Sequence, residues 1–74
     1  MAEVEISGPK KVVELIADAG LVTSRSEGRR LVQQGGVRLD GVPISNSEFV
    51  LDLNTGTEVV VKVGKRQFLR VRRI

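Results

Sequence analysis

Between residues 9 and 34, apolar side chains recur twice at helical spacing. Val12, Leu15, Ile16 and Ala19 form one stripe; it follows Pro9, which suits a first helical position, and stops at Gly20, a natural helix end. This spacing predicts a helix over residues 9–19, with Lys10, Glu14 and Asp18 outward at the i,i+4 spacing of ordinary surface charge pairs. Ser24, followed three residues later by Glu27, has the form of a capping box, in which hydroxyl and carboxylate satisfy the free amides of a helix start. A second helix is predicted over residues 25–34; Gly28, Leu31 and Val32 form its apolar side and Gly35 ends it. Glycine inside a helix costs about 1 kcal/mol relative to alanine, so Gly28 on the apolar side marks close packing of two helices.

From Val37 the apolar period shortens to two. Val37 with Leu39, the turn dipeptide Asp40-Gly41, then Val42 with Ile44 read as strand, tight turn and strand. Phe49, Leu51 and Leu53 alternate before a turn at residues 54–56, and residues 58–63 and 67–73, joined through Gly64-Lys65, make the clearest hairpin. Residues 1–8 hold too few apolar positions in any period and are expected to be a linker or a disordered start, leaving residues 9–74 as the domain. Two helices followed by a small antiparallel β-sheet define an α+β class, with the N-terminal helices packed on the sheet.

Composition narrows the function classes. The chain has 74 residues, 41% of them hydrophobic, enough for one modest core. A chain of this size buries only roughly 60% of its extended surface, and such small domains are commonly pieces of larger proteins. With no Cys and no His, disulfide scaffolds, thiol nucleophiles, zinc fingers and His-based acid/base catalysis are excluded together. No apolar run approaches a membrane span and no signal-peptide region follows Met1, so a cytoplasmic chain with no membrane partner is expected. Gly35-Gly36 lacks the spacing and the Lys-Ser/Thr of a phosphate loop. The carboxylate pairs Glu14 with Asp18 and Glu48 with Asp52 have no pocket-forming apolar surroundings, so they read as solvated surface groups. No catalytic residue and no metal ligand set is assigned.

Charge distribution points toward binding. The net charge is +3, and in residues 1–37 five basic residues are matched by five acidic ones. Residues 62–73 contain Lys62, Lys65, Arg66, Arg70, Arg72 and Arg73 with no acid, an expected footprint of a nucleic-acid binder. On the last strand Phe68, Arg70 and Arg72 share one face, with Lys65 and Arg66 at the hairpin tip; Phe68 there is either a base-stacking ring or a core residue. On the second helix Arg25, Arg29 and Gln33 form a row beside the apolar side, suited to a phosphate backbone or simply to solvent. Arg25 also lies in the first helical turn, where free amides and the helix dipole favour an anion. Arg38 is expected to lie outside the contact set.

Residues 11–41 resemble the S-four RNA-binding domain, whose pattern is an apolar helix, a Ser-Arg-x-Glu-Ala-Arg-Arg-Leu-Ile helix, and Gly-x-Val-x-Val-Asn-Gly. Here these positions are Ser24, Arg25, Ser26, Glu27, Gly28, Arg29, Arg30, Leu31 and Val32, then Gly36, Val37, Arg38, Leu39, Asp40 and Gly41. Gly28 replaces the usual Ala and Asp40 the usual Asn. The resemblance implies an RNA-contacting surface that includes Ser24, Arg25, Arg29 and Arg30; the helical wheel favours Arg25 and Arg29 over Arg30. Residues 59–71 are similar to the Gly-Lys-Lys/Arg-x-Phe ending of bacterial tyrosyl-tRNA synthetases. That similarity implies a fragment of an ATP-dependent ligase whose partner is tRNA(Tyr), gripped near the anticodon stem and long variable arm. The fragment itself would carry no cofactor, because ATP and tyrosine would bind a separate catalytic domain, its other partner. S-four domains also occur in rRNA-binding proteins, pseudouridine synthases and RNA methyltransferases. A small protein-interaction or carrier domain is the alternative from another class, although such carriers end Gly-Gly and this chain ends Arg-Arg-Ile.

Overall fold

A computed structural model describes residues 2–74. In chain order the elements are β1 (Ala2–Ile6), β2 (Lys10–Lys11), α1 (Val12–Asp18), α2 (Arg25–Gln33), β3 (Val37–Leu39), β4 (Val42–Pro43), β5 (Val50–Leu51), β6 (Glu58–Val63) and β7 (Gln67–Arg73). Five strands form one sheet in the order β1-β7-β6-β3-β4, and β2 pairs with β5 in a second, two-stranded sheet. The α+β class read from the periodicity is the observed one.

One face of the larger sheet makes the core. Val59, Val61 and Val63 of β6 alternate with exposed or half-exposed neighbours, as do Leu69 and Val71 of β7, so each strand turns its apolar side to the helices. Val12, Val13, Leu15 and Ile16 of α1 and Val32 of α2 complete that cluster. None of the described helices is long and apolar enough to cross a membrane.

Three segments differ from the sequence reading. Residues 2–6, expected as linker or disordered start, are an edge strand: β1 runs parallel to β7 from Ala2 opposite Leu69 to Ile6 opposite Arg73, and Ile74 donates its N–H to the Ile6 carbonyl at 2.9 Å. Val4 and Ile6 supply the inward side of this strand, and Ile6 is buried. The sheet is therefore mixed rather than wholly antiparallel. Next, α1 begins at Val12 rather than Pro9, because Lys10 and Lys11 are drawn into pairing with Leu51 and Val50 and the Val12 N–H is taken by the Phe49 carbonyl at 3.1 Å. Finally, the alternation at Phe49, Leu51 and Leu53 yields only the two-residue β5; Phe49 and Leu53 pack partly buried against the core outside any strand.

Elsewhere the helix ends follow their local residues. Both helices end in the same paired hydrogen bonds: Gly20 to Ala17 and Leu21 to Ile16 after α1, Gly35 to Val32 and Gly36 to Leu31 after α2. This closure needs a left-handed residue, supplied by Gly20 at φ 79° and Gly35 at φ 76°. At the start of α2 the Ser24 hydroxyl accepts from the Glu27 N–H at 3.2 Å, the first half of the predicted capping box. The Glu27 carboxylate accepts instead from the Thr23 hydroxyl. Gly28 packs against α1 as its place in the stripe required: a Cβ there would lie 3.2 Å from Val13 Cγ1 and 3.4 Å from Ile16 Cδ1. The β3–β4 turn has Asp40 at φ 49° and Gly41 at φ 87°, the left-handed pair of a two-residue hairpin. Asp40 is further pinned to β6, since its carboxylate accepts from the Val60 N–H at 2.9 Å and its own N–H donates to the Val60 carbonyl.

Candidate nucleic-acid interface

Burial of Gly28 and Val32 fixes the rotation of α2 about its axis. Arg25, Arg29 and Gln33 then fall in one exposed row beside the buried side, while Arg30 is exposed on the side away from the core. Ser24 is exposed at the head of the row with its hydroxyl already engaged as the helix cap. The ion pairs among the described residues are Lys11 with Glu48, Arg70 with Glu3 and Arg72 with Glu58, so the arginines of α2 have no acid within salt-bridge distance. Glu48, in the loop before β5, is bonded by the Lys11 ammonium at 2.7 Å. That hydrogen bond and the Lys11 charge hold the Glu48 carboxyl below its ordinary range, and the nearby Arg29 charge lowers it further.

The hairpin residues divide into two groups. Phe68, Arg70 and Arg72 do project from the sheet face opposite the helices, as their alternation with buried Leu69 and Val71 requires. Yet the strands on either side bring acids to two of them. In register, β1 places Glu3 opposite Arg70 and Glu5 opposite Arg72, and β6 places Glu58 opposite Arg72. Arg70 Nη1 lies 3.5 Å from Glu3 Oε1, and Arg72 Nε lies 3.7 Å from Glu58 Oε2. A run without acids in sequence is thus a mixed-charge patch in space.

At the other end of the hairpin the cations stand without acids. Lys65 and Arg66 are exposed in the β6–β7 turn, which is tied to the end of α2 by the Gly64 N–H donating to the Gly36 carbonyl at 2.7 Å. Between the two lies a groove of about 350 Å³ lined by Gln34, Arg38, Lys62 and Lys65 together with Gly35, Gly36 and Gly64. Arg38 and Lys62 are cross-strand partners. The structure therefore puts Arg38, expected outside the contact set, into the same groove as Lys65. Lys62 belongs to the acid-free basic run of the sequence, but its proximity to Arg38 follows from the pairing of β3 with β6, and nothing local announces it. Phe68 lies outside the core at 38% exposure, with the Lys62 ammonium 5.7 Å from its ring centroid, within cation–π range. Of the two roles open to this ring, the core one does not apply.

Arg25 and Arg29 thus form an exposed basic row along α2, and a second basic cluster lines the groove at the hairpin tip, where Arg38 and Lys62 share the outer sheet face with Arg70 and Arg72 but stand at its opposite end. The S4 domain family pattern matches residues 11–59, from β2 into β6, and the chain belongs to that family. Among curated proteins it is similar to the tyrosine–tRNA ligase of Thermotoga maritima, at 44% identity over 71 residues covering 96% of this chain and 17% of that protein. The tyrosine–tRNA ligase of Bordetella pertussis is 45% identical over 73 residues, covering 97% of this chain and 17% of the ligase. The corresponding protein of Bdellovibrio bacteriovorus is 38% identical over 69 residues, with 93% and 17% covered. The chain spans about one sixth of the length of these relatives.

Proposed function

We propose that this chain is the C-terminal RNA-binding domain of a bacterial tyrosine–tRNA ligase and holds tRNA(Tyr) near the anticodon stem and long variable arm. The observation that carries the reading is the unpaired basic surface on α2 and at the hairpin tip, in an S4 domain fold, in a chain similar over nearly its whole length to proteins named tyrosine–tRNA ligase. Arg25 and Arg29 neutralise phosphates from the helix, and Ser24 and Gln33 flank them with polar groups. Arg38, Lys62, Lys65 and Arg66 extend the contact to the tip. Arg30, pointing away from the core, adds a peripheral charge. Arg70 and Arg72 have their charge partly compensated by Glu3 and Glu58, which makes them the weaker phosphate contacts.

Phosphate contacts position a nucleic acid without performing chemistry on it. ATP and tyrosine accordingly belong to the catalytic part of the ligase, and this domain supplies binding energy that keeps the tRNA in register. A paired assay on the complete ligase, with and without these residues, tests the reading. Pyrophosphate exchange, which involves no tRNA, should persist when the domain is removed, and tRNA charging should fall sharply through weaker tRNA binding. Equal loss of both activities would mean that the domain supports the catalytic fold instead.

A further inference from the structure

We infer that the outer sheet face carries a single-nucleotide subsite in which Phe68 stacks an unpaired RNA base while Lys62, Arg38 and Lys65 hold the adjoining phosphate. The chain has two phenylalanines and no other aromatic residue. Phe49 packs against the core; Phe68 instead stands on the solvent side of β7. Its row across the sheet is basic: Phe68 is opposite Lys62 on β6, and Lys62 is opposite Arg38 on β3. Neighbouring strands are about 5 Å apart, so the row spans about 10 Å, a reach comparable to that from a base to its own phosphate. Arg38, Lys62 and Lys65 all line the groove at the end of α2, and no carboxylate lines it.

Two features select an unpaired nucleotide. A π-face can be stacked only by a base that is out of a duplex, and such stacking tolerates any base. Moreover, the far end of the same sheet face carries Glu3, Glu5 and Glu58, which repel a phosphate backbone and confine the strand to the tip end. The Lys62 ammonium already lies over the ring at 5.7 Å. On binding, the ammonium turns to the phosphate and the base takes its place over the ring.

This inference rests on the RNA-binding reading above, and its test separates the two. Because the chain has no Trp and no Tyr, Phe68→Trp makes a sole indole reporter at the subsite. Phe68 lies outside the core, so the fold should survive, which circular dichroism verifies. The variant is titrated with tRNA, with a single-stranded oligouridine and with a fully paired RNA duplex, while affinity is read separately by anisotropy of the labelled RNA. The expected result is quenched indole emission with tRNA and oligouridine, and little quenching with a duplex that still binds. Phe68→Leu should weaken oligouridine binding about five- to 150-fold, the equivalent of one lost base stack, with the salt slope unchanged. Retained tRNA binding with no quenching, or Phe68→Leu binding oligouridine like the parent chain, would overturn the subsite and leave the RNA reading intact. Absence of salt-dependent binding to any of the three RNAs would overturn both.

Discussion

Replacing Arg29 with Gln and Arg70 with Gln removes one positive charge in each case, so the two variants separate a local contact from a net-charge effect. Arg29 stands in the exposed α2 row with no acid at salt-bridge distance, the nearby Glu48 being bonded to Lys11, whereas Arg70 lies 3.5 Å from Glu3. Each phosphate neutralised contributes about 0.7 to 0.9 to the slope of log affinity against log salt. If Arg25, Arg29, Arg38, Lys62, Lys65 and Arg66 are all engaged, the parent slope is about −4 to −5. Between roughly 50 and 200 mM salt that slope lowers affinity on the order of 10³-fold. Arg29→Gln should flatten the slope by about 0.7 to 0.9, so that the affinity ratio across the same interval shrinks about threefold. Arg70→Gln should change the slope by a small fraction of that amount, since its charge is compensated locally in the free protein and no counterion is exchanged there on binding. Titration of labelled tRNA across the salt series, followed by anisotropy, reads both slopes. Equal flattening in the two variants would refute the division of the arginines and leave only net charge as the attraction.

Gly28→Ala gains about 1 kcal/mol of helix propensity but places a Cβ 3.2 Å from Val13 Cγ1, whose β-branched side chain is buried and rotamer-restricted in α1. Thermal unfolding should show a net change from about zero to 2 kcal/mol of destabilisation; in a Val13→Ala background the same substitution should become stabilising, and a full 1 kcal/mol gain in the parent chain would contradict the packing argument. Deleting residues 1–8 removes Ile6 from the core and β1 from the sheet edge, so denaturant unfolding should lose about 2 kcal/mol or more, whereas a linker would leave stability unchanged. The Glu48 carboxyl titrates below its ordinary range because of Lys11, so its small contribution to stability is present above the unfolded-state pKa and disappears as pH falls through the lower folded-state value. Lys11→Met should raise the Glu48 titration midpoint in an NMR pH series, and an unchanged midpoint would show that the Lys11 pair is not the cause.

Much of the fold was legible because the relevant signals are local. Ser24 caps the helix that follows it, Gly20 and Gly35 close their helices, and Asp40-Gly41 forms the hairpin turn that the dipeptide favours. Gly28 was readable as a packing contact because its place in the stripe left no other reason for a poor helix former. The failures share a different cause. β1 has only Val4 and Ile6 as inward residues, and its existence depends on a partner strand more than sixty residues later. Pro9 offered a correct local helix start, but hydrogen bonding of Lys10 and Lys11 to β5 and of Val12 to Phe49 outcompeted it. Such competition is invisible until the long-range pairing is known.

The same dependence on pairing reshaped the candidate site. A charge run in sequence reports electrostatic character only if its neighbours in space are as basic as its neighbours in the chain. For Lys65 and Arg66 that condition holds, because the turn they occupy meets the end of α2 and two further cations, Arg38 and Lys62. For Arg70 and Arg72 it fails, because β1 and β6 bring Glu3, Glu5 and Glu58 alongside them. The edge strand that looked like a linker is therefore also an electrostatic element. By neutralising one end of the sheet face it sharpens the contrast with the tip, so that under the RNA-binding function proposed above a polyanion would be drawn toward the α2 row and the groove rather than across the whole basic strand.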